Sequence, residues 1–176
     1  MAGTSWRRRN TAASSGHIDQ VLAQIPLIPP WTVDEFCAWV EERYDREIKL
    51  SPWQTEAPEA GEPGSCGLLW VTRDAFIINY DDTRSERHQR QQIFHEIGHI
   101  LCDHRGDSWN PEAMKGLAEG LDLAMVERVL HRSVFDSAEE IAAELVGTRL
   151  AVLSRMQRGD GRFDRIASAF FEPVKR

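Results

Sequence analysis

An α+β fold is the class predicted by three features of this sequence. Two runs of β-type residues, Gly67 to Val71 and Ala75 to Tyr80, flank Thr72-Arg73-Asp74, which is the signature of a hairpin. Amphipathic helical patterns lie before and after that hairpin, so the order is helices, a small antiparallel sheet, then helices. The first helix after the hairpin carries His95-Glu96-Ile97-Gly98-His99, an HExxH pentapeptide.

The elements follow in order along the chain. Ile18 to Ile25 suits a short helix stopped by Pro26, and Pro29-Pro30 marks an extended link. Thr32-x-x-Glu35 reads as a capping box. Val33, Phe36, Cys37, Val40 and Tyr44 then recur at helical spacing. Ile48 to Leu50 begins a strand, and 51–67, rich in Pro, Gly and Glu, reads as a surface loop. Past the hairpin, Thr83-x-x-Glu86 is a second candidate capping box, opening the helix of the pentapeptide. Asn110-Pro111 resembles an N-cap followed by Pro at the first helical position. Helices are expected over Leu121 to Arg132, over Asp136 to Met156 and, finally, over Arg162 to Phe171.

At 176 residues the chain is long enough for one self-sufficient core. Residues 1–16, with Arg7-Arg8-Arg9 among Ser, Thr, Ala and Gly, read as a flexible basic tail, and 17–176 as a single domain. A net charge of −7 argues against a nucleic-acid binder whose affinity must come from phosphate contacts. No apolar run follows the arginines as in a signal peptide, and none approaches the ~20 residues that span a bilayer. The three cysteines, Cys37, Cys66 and Cys102, lack metal-type spacing and read as reduced thiols of a cytoplasmic protein.

The pentapeptide sits in the right helical phase for a metal site. Counting from Ile93 at about 100° per residue, Phe94, Ile97, Ile100 and Leu101 fall between about −20° and 100°. His95 and His99 fall at about 200° and about 240°, so an apolar stripe faces a core while both imidazoles face a cleft. Residues four apart are separated by roughly 6 Å of rise, close enough to share one divalent ion, with Glu96 placed to act on a water.

A catalytic zinc site needs a third protein ligand. His104 falls with the apolar side of the helix and is rejected as a ligand; Cys102 reads as a core or rim thiol, and His88 as an exposed side chain, with a place at the substrate rim as the alternative. On the 136–156 helix, Glu140, Ala143, Glu144, Gly147 and Ala151 share one face, acidic at its start and small thereafter. Small residues let two helix backbones approach, as a carboxylate-to-metal bond requires. Spacing alone leaves Glu140 between metal ligand and helix cap, since Ser137-x-x-Glu140 is also a capping box. Nor does it separate Glu140 from Glu144.

Phe76-Ile77-Ile78-Asn79, the polar linker, Arg90 and His95 through Leu101 resemble the strand–linker–HExGH core of the ImmA/IrrE metallopeptidases of bacterial mobile elements and stress regulators. Glu140, Ala143 and Glu144 match that family's second motif in register, and Gly147 stands where Ala is usual. The resemblance implies a zincin-like fold, Zn²⁺ held by His95, His99 and Glu140, and Glu144 as a carboxylate supporting a ligand.

The function expected is a zinc-dependent endopeptidase with Glu96 as general base, cutting a partner such as a transcriptional repressor or an antitoxin encoded nearby. The alternative is a metal-stabilised sensor, binding module or toxin component that regulates a partner without cutting it. A pure binding site has no need of the Glu96 carboxylate. The strand over Phe76 to Tyr80, if it forms a sheet edge, could receive an extended substrate by strand addition.

Overall fold

The computed structural model describes residues 15–53, 67–105, 114–118, 120–130 and 137–155. The arginine-rich segment, most of the 51–67 connection, Asn110-Pro111 and the helix expected over 162–171 lie outside these residues. The elements are α1 (Ser15–Leu22), α2 (Val33–Tyr44), β1 (Glu47–Pro52), β2 (Leu68–Thr72), β3 (Ala75–Tyr80), α3 (Glu86–Leu101), β4 (Val126–Leu130) and α4 (Ser137–Leu153).

The α+β class holds, and the sheet is mixed rather than wholly antiparallel. Its order is β1-β3-β2-β4. The predicted hairpin pairs β2 with β3, and β4 adds antiparallel to β2. β1 lies parallel to β3, in register from Glu47 opposite Ala75 to Pro52 opposite Tyr80. Parallel neighbours cannot be joined by a tight turn. The long connection after β1, followed by β2, supplies the crossover. Asn79 fastens the centre of the sheet. Its Oδ1 accepts from Trp70 Nε1 at 2.7 Å and its Nδ2 donates to the Ser51 carbonyl at 3.2 Å.

Two sequence expectations fail here. β3 is an interior strand, so it offers no edge to a substrate; the sheet ends at β1 and β4. Residues 121–130 do not form the helix expected over 121–132. Asp122 caps a short 3-10 turn over Leu123–Met125, and β4 follows. Leu121, Leu123, Val126 and Val129 pack instead around Trp70, Leu68 and Met114. Val126 and Val129 are β-branched, and pairing to β2 outweighs an apolar spacing that also suits a helix.

Both faces of the sheet are therefore covered. The main core joins Ile48, Leu69, Val71, Phe76 and Ile78 to the helices, through Phe36, Val40, Ile93, Phe94, Ile97 and Leu150 among others. The Thr32 box forms as expected: Glu35 N–H donates to Thr32 Oγ1 at 3.1 Å, and Thr32 N–H donates to Glu35 Oε2 at 2.7 Å. The second box does not form. Ser85 caps α3, and the Thr83 hydroxyl donates to Asp81 instead. Asp81 N–H in turn donates to Gln92 Oε1 at 3.1 Å, which ties the end of β3 to α3.

The α3–α4 pair is the tightest helix contact that bears on the site. A Cβ placed on Gly98 would lie 2.7 Å from the Ala143 carbonyl oxygen, and one on Gly147 would lie 2.8 Å from the backbone nitrogen of His95. Both obstacles are backbone, so neither glycine tolerates a methyl group without moving a helix. Gly98→Ala and Gly147→Ala are each expected to destabilise the fold by about 1–3 kcal/mol, the usual cost of overpacking, read as a lower denaturant midpoint. Midpoints equal to wild type would show that the helices are not locked together here.

Cys37 on α2 and Cys102 at the end of α3 are free thiols. Burial, reinforced by nearby carboxylates, pushes both up to about 12. They are therefore expected to react far more slowly than glutathione with an alkylating reagent at pH 8, and to become fully reactive in denaturant. Rapid native labelling of either would contradict their burial.

Candidate metal centre

α3 is an ordinary amphipathic helix only at its start. From Gln92 through Ile100 every residue is buried, so its two faces are covered by different partners. Ile93, Phe94, Ile97 and Ile100 enter the main core, as the sequence phase requires. On the other side α4 closes over His95 and His99, which are only 6% and 4% exposed. The predicted cleft face is thus a covered helix–helix seam.

That seam brings together the three expected donors. One ligand atom from each of His95, His99 and Glu140 lies within 4.8 Å of the others. The two Nε2 atoms are 3.2 Å apart, while Glu140 Oε2 is 3.5 Å from His95 Nε2 and its Oε1 is 3.4 Å from His99 Nε2. Zinc bonds of about 2.0–2.1 Å at a tetrahedral angle need ligand atoms roughly 3.3–3.4 Å apart. The protein's own spacing fits that requirement, and the donor set, two imidazoles and one carboxylate, is typical of zinc peptidases. Glu140 reaches the histidines because Gly98, Ala143 and Gly147 let the helices approach. The small residues of α4 that point away from Ile141, Leu145 and Val152 are the ones in contact, and those three apolar side chains stay exposed.

Glu144 is not in the three-donor group. Its Oε2 lies 3.3 Å from His95 Nδ1, and its Oε1 accepts from Thr148 Oγ1 at 3.1 Å and from Gln91 Nε2 at 3.4 Å. A carboxylate at Nδ1 keeps that nitrogen protonated, so an ion held here would bind His95 through Nε2. The geometry thus separates two glutamates that helical spacing left equivalent.

The carboxylates around the cluster favour positive charge on His95. Burial alone would lower His95, but its bonds to Glu140 and Glu144, with the charge on Glu96, outweigh burial and raise the ring to about 10. His99 goes the other way, held down at about 3 by burial and by the charge on His95. Glu96 is 3% exposed, and burial lifts its carboxyl to about 8, with His95 opposing and Glu140 reinforcing. Among the described residues its Oε2 is buried without a hydrogen-bond partner, an arrangement that is costly unless another group engages it.

Two residues near the centre were not legible as functional in the sequence. Gly67, at the entry to β2, has φ +131°, and a Cβ there would lie 2.6 Å from Glu96 Oε1. The positive φ and the carboxylate both demand glycine, whereas the sequence shows only a Gly beside a strand. The second is His104, which lies outside the ligand group as expected but has its Nδ1 3.0 Å from His99 Nδ1. Its helical angle was misleading because α3 ends at Leu101. Asp103 then takes a left-handed φ of 50°, turning the chain back onto the helix. Cys102 lies outside the ligand group, and His88 is exposed.

A recess of about 210 Å³ borders the centre, lined in part by His99, His104, Phe76, Arg46, Arg128 and Leu130. Arg128, on β4, donates to the His104 carbonyl at 3.2 Å, so the terminal strand of the sheet is fastened to the same turn. Among the described residues no helix is long and apolar enough to cross a membrane.

Residues 67–151 match the family model Peptidase_M78, described as the IrrE N-terminal-like domain. No curated protein and no solved structure matches the chain. The matched segment begins at the glycine against Glu96, contains the His95–His99–Glu140 group and ends in the helix that supplies Glu140; that segment belongs to the ImmA/IrrE family of metallopeptidases.

Proposed function

We propose that the protein is a zinc-dependent endopeptidase that cuts a partner regulatory protein, such as a repressor or antitoxin encoded nearby. The observation that carries the reading is the pairing of the His95–His99–Glu140 group with the buried, unpartnered Oε2 of Glu96 on the same helix. A metal site that serves only binding or structure has no use for that carboxylate, so the catalytic reading is favoured over a sensor or binding module.

His95, His99 and Glu140 would hold the ion, and Glu144 would orient His95. Zinc bound there supplies Lewis acidity, which makes water and the scissile carbonyl reactive at neutral pH. Glu96 takes a proton from the attacking water as its oxygen bonds to the carbonyl carbon. It then delivers that proton to the amide nitrogen as the carbon–nitrogen bond breaks. The recess beside His99 has room for one substrate side chain. β4, at the end of the sheet order and bordering that recess, takes over from β3 as the strand that would pair with an extended substrate.

The test is incubation of the zinc-loaded chain with a mixed peptide library, with new termini read by mass spectrometry. Cleavage abolished by a chelator and restored by zinc is expected. Termini that persist unchanged after zinc removal would refute the metal-dependent mechanism.

A further inference from the structure

We propose that His104 is a positioning residue for the metal centre: its Nδ1 accepts the Nδ1 proton of His99 and thereby holds His99 in the one tautomer that can bind a metal through Nε2. The inference rests on the metal-site reading above and extends it to a residue outside the ligand set.

The two Nδ1 atoms are 3.0 Å apart. Two unprotonated ring nitrogens at that distance repel, so a single proton must lie between them. If His104 donated it, neutral His99 would carry its own proton on Nε2, and that nitrogen faces Glu140 and His95. It would then have no lone pair for an ion. A metal-binding His99 therefore requires the opposite polarity, with His99 Nδ1–H donating and His104 accepting.

The rest of the geometry supports an orienting role for this ring. His104 is 4% exposed, and its Nε2 is buried without a hydrogen-bond partner among the described residues. Its side-chain polar contact is thus to His99. A position used only for packing would be served better by an apolar side chain, because a buried polar ring is costly unless its bonds are used. The ring is also held from its backbone. His104 N–H donates to the His99 carbonyl at 3.1 Å, its own carbonyl accepts from Arg128 at 3.2 Å, and Asp103 before it takes the left-handed turn. These constraints aim a residue beyond the end of α3 back at the helix. The centre then has one orienting acceptor for each imidazole: Glu144 for His95 and His104 for His99.

Zinc affinity, measured by competition with a chromophoric chelator, tests the proposal on the full chain. His104→Leu keeps bulk but removes the acceptor, whereas His104→Asn retains an acceptor oxygen near the Nδ1 position. Loss of an orienting partner costs about 10–100-fold in metal affinity, so His104→Leu should fall by about that factor and His104→Asn should stay within about threefold of wild type. Long-range ¹H–¹⁵N spectra of the zinc-loaded wild-type chain give an independent reading that needs no variant. They should show His99 protonated at Nδ1 and His104 as the neutral tautomer protonated at Nε2. A His104 found protonated at Nδ1 overturns the proposal. So does a His104→Leu protein that binds zinc like wild type, or a His104→Asn protein that loses as much as His104→Leu. A wild-type chain that takes up no zinc at all overturns the metal-site reading, and this proposal with it.

Discussion

Glu140→Ala is expected to purify without zinc, whereas wild type carries close to one equivalent. Glu140 bridges the two histidines at 3.4–3.5 Å from their Nε2 atoms and belongs to a separate helix, so its removal leaves two imidazoles from one turn of α3. Two such ligands do not complete a catalytic zinc set. The contrast with Glu144→Ala gives the prediction its discrimination. Glu144 touches His95 only through Nδ1, so its loss should weaken zinc by about 10–100-fold without abolishing binding. Elemental analysis after dialysis, followed by chelator competition, reads both. Full zinc in Glu140→Ala with loss in Glu144→Ala would transfer the ligand role to Glu144.

Glu96→Gln is expected to keep zinc and fold and to lose cleavage by on the order of 10²–10⁴-fold, the usual range for loss of general-base help. Gln is nearly isosteric with Glu, and residue 96 is packed on every side, against Gly67 among others, so the change should not disturb the core. It should in fact raise thermal stability slightly, because burial disfavours the charged carboxyl and a neutral amide replaces it. Lower activity with unchanged zinc and unchanged or higher melting temperature is the expected combination. Activity within a few-fold of wild type would remove Glu96 from the chemistry.

What could be read from the sequence follows the range of the interactions involved. The Thr32–Glu35 box, the β2–β3 hairpin and the phase of His95 and His99 are set by residues within a few positions of one another, and all three appear in the structure. The approach of α3 and α4 was also legible, because Ala143 and Gly147 line the face that carries Glu140. The failures are long-range. β1 and β4 choose their partners through the packing of distant residues, which moved β3 to the interior and turned an expected helix into a strand. His104 lies outside the ligand group as expected, but its contact with His99 was not legible, because the helix ends at Leu101 and Asp103 reverses the chain. Gly67 meets Glu96 only once β2 is laid beside α3, and no local pattern announces that contact.

The central claim is that this centre cuts a protein and that Glu96 does the cutting. The most direct measurement is co-expression of the chain with the product of its neighbouring gene, comparing wild type with Glu96→Gln by mass spectrometry of the partner's termini. A new internal terminus in the partner is expected with wild type and none with Glu96→Gln, with equal zinc in both proteins and loss of the biological effect with the variant. An intact partner in both strains, with the full biological effect retained by Glu96→Gln, would contradict it and leave the zinc helix as a structural element of a binding module.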